Sequence, residues 1–444
     1  MNKLKFGVIS LGCDKNRIDA EIMINKISKD YEITNEPREA DVIIVNTCGF
    51  IEAAKQESID TILEMSKYKE GNCKVLIVTG CLSQRYGKEL QELLPEVDVM
   101  IGVNDYDKLE EAVKRVIEKR EKVYYCNYSD NVINEGERTL TTLSHYAYLR
   151  IGEGCDNFCT YCVIPRIRGR YRSRSMENIL KEAKNLAKKG VKEIILVAQD
   201  TTRYGIDLYG KKMLPELIEN ISKIEEIEWI RVLYCYPEEI EQDFIDTIAS
   251  NPKVCKYLDM PIQHISDDIL KPMGRRGRKE QILNTIDKLR KSIPNISLRT
   301  SLIVGFPGEN EDNFNELKEF VKDIKFENLG VFKYSKEENT PAALMENQVD
   351  EDIKEIRQKE LMMLQQNISN RANKDKVGKI YNVIVDNFNG EYYIGRNYEM
   401  APEIDGAIYF KCDKILNIGD IVSVKIESSS EYDLIGVVYY EFSK

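Results

Sequence analysis

Three cysteines within eight residues, Cys155-x3-Cys159-x2-Cys162, constrain this chain more than any other feature. They lie in the run Gly152-Glu153-Gly154-Cys155-Asp156-Asn157-Phe158-Cys159-Thr160-Tyr161-Cys162, just past the strand-like Tyr148-Leu149-Arg150-Ile151. Thiolates are soft ligands that hold iron–sulfur clusters, and a four-iron cube takes four of them. Three local ligands would leave one iron without a protein donor, open to another molecule. A structural zinc closes its shell with four nitrogen or sulfur ligands, and no fourth Cys or His follows at finger spacing. A disulfide would strand the third thiol. The spacing therefore predicts a cluster-binding loop at a strand end.

The length, 444 residues, suggests two to four domains. Nothing near Lys3 and Lys5 has the form of an export signal, and no apolar run approaches the roughly 18 residues of a membrane span. A cytoplasmic protein with no membrane partner is expected. Eleven cysteines in such a chain point to metal or redox chemistry rather than a disulfide framework. With only His145 and His264, His-rich metal sites and His-driven triads explain little. A net charge of −11 argues against broad nucleic-acid affinity.

Apolar runs at Phe6–Ile9, Val42–Val45, Val75–Val78 and Val97–Ile101 alternate with helix-like segments near 16–29, 51–68, 83–94 and 106–119. This pattern predicts a doubly wound parallel sheet over residues 2–120. The polar stretch Asn127–Ser144 reads as a linker. Six more strand–helix units, their strands ending near Ile151, Gln199, Cys235, Ile262, Gly305 and Tyr334, predict a partial (β/α)6 barrel over 141–373. Such a barrel has its active face at the strands' C-terminal ends. A long charged helix, about Asp350 to Asn373, closes it. Short strand-like runs (Tyr381–Phe388, Tyr392–Arg396, Ile408–Lys411, Ile421–Ile426, Asp433–Glu441), with a hairpin signal at Asn389-Gly390, predict a small antiparallel β-barrel over 374–441.

Three of the four N-terminal strand units also deliver a cysteine: Cys13 in Ser10-Leu11-Gly12-Cys13, Cys48 in Val45-Asn46-Thr47-Cys48-Gly49, and Cys81 in Val78-Thr79-Gly80-Cys81. Strand ends of a parallel sheet converge on one edge, so the three are expected to be neighbours and to form a second three-thiolate set. The bland alternative is three small buried thiols. Cys73, Cys126, Cys235, Cys255 and Cys412 share no such pattern and read as structural.

The cluster loop resembles that of the radical S-adenosylmethionine superfamily. With Ser10–Asn16, Asn46–Ile51 and Thr79–Tyr86 the whole chain resembles its methylthiotransferase family, and the C-terminal barrel resembles that family's TRAM domain. Tyr234-Cys235-Tyr236-Pro237-Glu238-Glu239 and Ala198-Gln199-Asp200-Thr201 are similar to the branch acting on an aspartate of the twelfth small-subunit ribosomal protein. The resemblance implies two [4Fe-4S] clusters, on Cys155/Cys159/Cys162 and on Cys13/Cys48/Cys81, with S-adenosylmethionine as cofactor. The first cluster is implied to cleave that cofactor to a radical, and the second to carry the sulfur transferred to the aspartate β-carbon. It places Tyr161 by the adenine, and Ile303 and Gly305, within Ser301–Gly308, behind the same nucleoside. No electron donor is identified.

Gln199 and Asp200 end a strand on the active face, where they would hold cofactor groups or cap the loop. His264 reads as a satisfied pocket residue. Arg166, Arg168, Arg170, Arg172 and Arg174 recur with period two and, if extended, share one face. Lys271–Arg278 forms a second basic loop. Two alternatives stand beside the protein methylthiotransferase: methylthiolation of a tRNA adenosine, and a noncatalytic iron–sulfur electron carrier. From Lys376 onward seven Lys/Arg face eleven Asp/Glu. An RNA reader carries a basic footprint, so a basic ribosomal protein, or the ribosome, is the expected partner over tRNA.

Overall fold

The computed structural model describes residues 3–440, so Met1, Asn2 and the last four residues, including Glu441, lie outside the described residues. Val42–Val45 and Val75–Val78 are buried on both faces, which only a strand covered by helices on both sides can use. The first sheet contains β1 (Lys5–Ser10), β2 (Glu32–Ile33), β3 (Val42–Thr47), β4 (Val75–Gly80), β5 (Val99–Ile101) and β6 (Val123–Tyr125). All pair in parallel, in the order β2-β1-β3-β4-β5-β6. Helix α1 (Asp14–Ile27) and the helices Glu52–Ser66, Cys81–Leu93 and Leu109–Lys119 cover it. The edge strands β2 and β6 have too few residues for a period and escaped the sequence reading.

The second sheet contains β7 (Tyr146–Arg150). A short antiparallel pair, β8 (Gly152–Glu153) and β9 (Arg172–Ser173), brackets the cysteine loop. The sheet continues with β10 (Glu193–Val197), β11 (Trp229–Val232), β12 (Val254–Gln263), β13 (Ser297–Val304) and β14 (Asn328–Lys333). The order β14-β13-β12-β11-β10-β7, all parallel, is an open six-stranded barrel. Its outer core joins strand residues such as Leu149, Leu196, Leu258 and Leu302 to the covering helices. The stretch 127–144 carries no strand or helix, yet it is not a free linker. Arg138 is buried and donates to Glu21 (2.8 Å) and to the Tyr148 carbonyl (2.7 Å).

The third unit closes into a barrel, β15 (Ile380–Phe388), β16 (Tyr393–Arg396), β17 (Ile408–Lys411), β19 (Leu434–Val438) and β18 (Ile421–Ser429), in that spatial order. At the expected hairpin, the Asn389 side-chain oxygen accepts from the N–H groups of Glu391 (3.0 Å) and Tyr392 (2.8 Å). The expected small antiparallel barrel is antiparallel at four of its five seams, and only β17 and β19 run parallel. A ring of five strands cannot alternate direction all the way round.

The loop 397–405, after β16, crosses the N-terminal ends of the open barrel. Arg231 on β11 donates to the Tyr398 carbonyl (2.7 Å), Tyr257 on β12 to Asp405 (2.7 Å), and Tyr146 on β7 to Glu403 (2.9 Å). Ser297 on β13 and Asn328 on β14 both reach the Glu399 carbonyl (3.5 and 3.3 Å). Glu193 on β10 takes Arg231 and, from β16, Arg396, each at 2.8 Å. Burial pushes the Glu193 carboxyl up, but the two guanidiniums outweigh it and hold it below the usual range. All six strands are thus tied to one segment of the third unit. Removing one partner of a buried ion pair costs about 3–5 kcal/mol. Glu193→Ala is therefore expected to lower the unfolding free energy read from urea titration by that order and to make the 375–380 connection cleavable in limited proteolysis.

Candidate active site between two cysteine sets

The loop carrying Cys155, Cys159 and Cys162 follows β8 and is fastened on several sides. Cys155 N–H donates to the Gly169 carbonyl (3.1 Å), Thr160 N–H to Met273 (2.9 Å), and the Thr160 hydroxyl to Pro272 (2.7 Å). The sulfurs receive backbone donors: Asn157 N–H on Cys155 and Ile164 N–H on Cys162, both 3.5 Å. The Asn157 amide also reaches Cys155 Sγ (3.5 Å) and donates to Asp200 (2.8 Å). Burial pushes the Cys155 thiol up to about 11 and raises Cys162 further. Burial also holds the Asp200 carboxyl at about 6, against hydrogen bonds from Thr202 and Asn157.

Cys13, Cys48 and Cys81 follow β1, β3 and β4, and the sheet edge brings them together. A Cβ on Gly12, whose φ is +83°, would lie 2.8 Å from Cys48 Cβ, and one on Gly49 would lie 3.0 Å from the Cys81 carbonyl carbon. Only glycine lets these turns approach so closely. Asn16 ties the turns, donating to the Leu11 (3.1 Å) and Thr47 (2.8 Å) carbonyls. Cys48 is lifted to about 12, by burial first and then by the neighbouring Cys81 and Cys13. Cys13 is exposed; the other two are buried.

Two connections join the sets. The first is a buried charge cluster, in which Arg168 donates to Asp19 (2.9 Å), Glu153 (3.3 Å), Asn16 (2.5 Å) and Cys81 Sγ (3.5 Å). Arg150 donates to Asp19 (2.7 Å) and Glu153 (2.8 Å), and Gln199 to Glu153 (3.0 Å). Burial raises the Glu153 carboxyl, but Arg168 and Arg150 outweigh it and hold it below the usual range. The second is the segment after β11, where Tyr234 lies within electrostatic reach of Cys13 and Tyr236 within that of Cys159 and Cys155.

Tyr161 and Ile303 pack on one apolar cluster with Phe306, Tyr334 and Met273. Gly305 N–H donates to Glu309 (2.9 Å), and buried His264 faces the same carboxylate at 3.5 Å with Nε2. Its Nδ1 accepts from Ser266 N–H (3.0 Å). Gln199 Oε1 and Arg275 Nη1 are buried with no protein partner. Nothing in the sequence singled out Arg275, which stacks on Tyr236 (4.3 Å) beside Tyr161 and Cys159.

The period-two arginine face does not exist. Pro165 starts the short helix Ile164–Arg168 and breaks the extended register. Arg168 and Arg174 are buried in ion pairs while Arg166 and Arg170 are exposed. Among the described residues no three His, Cys, Asp or Glu side chains converge on a single-ion position. A cavity of about 890 Å³ opens near Trp229, Lys253 and Tyr381, at the N-terminal ends of the barrel strands, and no sequence-predicted site residue lines it.

Family models match at three places: the radical SAM superfamily over residues 149–321, uncharacterized protein family UPF0004 over 5–102, and the TRAM domain over 377–438. The ribosomal protein uS12 methylthiotransferase RimO of Clostridium tetani is 68% identical over 444 residues, covering all of both chains. The chain belongs to the ribosomal protein uS12 methylthiotransferase family. The family's Clostridium botulinum (strain Okra / Type B1) protein is 64% identical, again over all of both chains. Among solved structures, the radical S-adenosylmethionine methyltransferase TsrM from Kitasatospora setae, with cobalamin and a [4Fe-4S] cluster bound, superposes with a TM-score of 0.55 at 13% identity. The match covers 78% of this chain and 74% of that one, and shows a shared fold.

Arg168→Met strips the shared cation from Asp19 and Glu153, and about 3–5 kcal/mol of stability is expected to go with it. Exposed Arg166→Ala should stay within about 0.5 kcal/mol, both read from urea unfolding of the apoprotein. Asp200 has its folded value raised from 3.8 to about 6. Its contribution is fully present below the lower value and lost as pH rises through the upper one. Asp200→Asn should flatten the apoprotein's pH–stability profile in that window.

Proposed function

We propose that this member of the family is a radical S-adenosylmethionine enzyme that adds a methylthio group to the β-carbon of an aspartate in ribosomal protein uS12. One observation supports the reading: the segment after β11 reaches both three-cysteine sets, the Tyr234 hydroxyl bonding Asp14 beside Cys13 (3.2 Å) and the Tyr236 ring lying under Arg275 (4.3 Å), whose loop takes the Thr160 N–H between Cys159 and Cys162 at Met273 (2.9 Å). Each set offers three soft donors without a fourth, which suits a cube with one open iron rather than a closed zinc. Burial raises the thiols of Cys48, Cys81, Cys155 and Cys162, and a metal centre deprotonates the thiols it binds.

Cys155, Cys159 and Cys162 would hold the first cluster, and Cys13, Cys48 and Cys81 the second. When bound, the clusters and S-adenosylmethionine supply the radical, sulfur and methyl chemistry that breaking an unactivated C–H bond requires. The chain's own work is to hold and enclose. The Tyr161–Ile303 wall suits an adenine face, with the Gly305 turn behind it. Gln199 Oε1 offers a free acceptor for an amino or hydroxyl group, and Arg275 Nη1 a free donor for a carboxylate. Asn157 orients Cys155, and the apolar cluster excludes water from the same corner. His264, enclosed between Ser266 and Glu309, lies against the carboxylate that holds the Gly305 turn.

Anaerobically reconstituted protein is expected to carry about eight irons, two four-iron clusters. Changing Cys155, Cys159 and Cys162 together to Ala should halve the iron and abolish cofactor cleavage. Changing Cys13, Cys48 and Cys81 should also halve it, keep cleavage and abolish product. In a reaction offering both uS12 and unmodified tRNA, a gain of about 46 Da, a methylthio group for hydrogen, should appear on a uS12 aspartate. The same gain on tRNA alone would move the protein to the other substrate class.

A further inference from the structure

The proposed substrate presents a carboxylate bonded to the very carbon that reacts, so fixing that carboxylate fixes the C–H bond. Helix α1 begins at Asp14, directly after Cys13. The side chains of Asp14 and Lys15 are 6% and 7% exposed, although Cys13 beside them is exposed. Lys15 Nζ lies 3.2 Å from Asp14 Oδ1 and 3.1 Å above the Tyr234 ring. The Tyr234 hydroxyl donates to the same Asp14 oxygen (3.2 Å). Tyr234 is held in the left-handed region (φ +62°), with its N–H on Asp259 (3.0 Å). Two valences are left over. Lys15 has three ammonium donors and makes one hydrogen bond, while Asp14 Oδ2 is buried with no donor at all.

We propose that Lys15 and Asp14 form the recognition site for the substrate aspartate, Lys15 taking its carboxylate and Asp14 Oδ2 a peptide N–H beside it. The inference rests on the function proposed above and names the residues that select its substrate. Neighbouring cations are committed elsewhere. Arg168 is shared among four acceptors. Arg299 is held between Asp259 (2.7 Å) and Asp405 (3.6 Å). Arg275 lies on the side of Cys159 and Tyr161. An aspartate residue offers an anion and a backbone donor a few ångströms apart, matching the two free valences. An adenine ring carries no carboxylate of its own to meet Lys15. Lys15 and Asp14 are positioning residues, since neither exchanges atoms with the substrate.

The test is a binding cycle with reconstituted holoenzyme. Wild type and Lys15→Met are each titrated with uS12 and with uS12 whose target aspartate is changed to Asn. Each single change is expected to weaken binding by about tenfold or more, as for a desolvated charge pair. The two together should weaken it no further than either alone. Independent, multiplying penalties overturn the inference while leaving the function intact. No binding of uS12 by wild type overturns both. The cycle is repeated with Lys15→Gln, which keeps a donor and drops the charge, so that a packing defect in the Met variant cannot stand in for lost recognition. Loss of coupling in both variants supports the site, and retention in the Gln variant overturns a charge-based role.

Discussion

Everything at this site hangs on two carboxylates and two guanidiniums sealed from water: Asp19, Glu153, Arg150 and Arg168. Burying four charges costs desolvation energy that their mutual attraction only roughly offsets, so the cluster is a poor source of net stability. Its value is geometric. Asp19 belongs to the first unit and the other three residues to the open barrel. A displacement of either unit would leave charges unpaired in a dry interior. Arg168 touches Cys81 Sγ, and Glu153 touches Gln199. The same four residues therefore set the distance between the second cysteine set and a strand end of the barrel mouth.

Much of the architecture was legible in the chain because it rests on local periodicity. Val42–Val45 and Val75–Val78 announce doubly covered strands, and the clustered cysteines mark the loop that follows β8. What escaped depends on long-range pairing. Asp19 and Arg168 meet across 149 positions, and neither has a local signal. The arginine run misled because a period of two says nothing about Pro165, which turns the backbone into a helix and sends alternate side chains in opposite directions. Arg275 was hidden inside a run of basic residues, where its burial distinguishes it and its residue type does not.

The acidic balance of the C-terminal barrel also changes meaning in three dimensions. Asp386 serves His145 and Arg396, Glu399 serves Lys376, Glu403 serves Arg17, and Asp405 serves Tyr257 and Arg299. Four of the eleven carboxylates counted in the sequence are thus spent within the molecule. The surface left for a partner is less acidic than composition suggests, and the case for a protein substrate passes from net charge to the specific valences beside Cys13.

The loop 397–405 gives the open barrel a floor. A barrel missing strands would otherwise be a tunnel, draining at one end whatever was generated at the other. Here the third unit stoppers it, gripping all six strands, and α1 lies along the inner side of β7 through Ile18 and Ile22. The loop lies across the N-terminal strand ends, away from the end where the cysteines stand, and a cavity of about 890 Å³ opens beside it near Tyr398 and Glu399. The C-terminal unit thus contributes, besides its own barrel, the segment that spans the base of the open one.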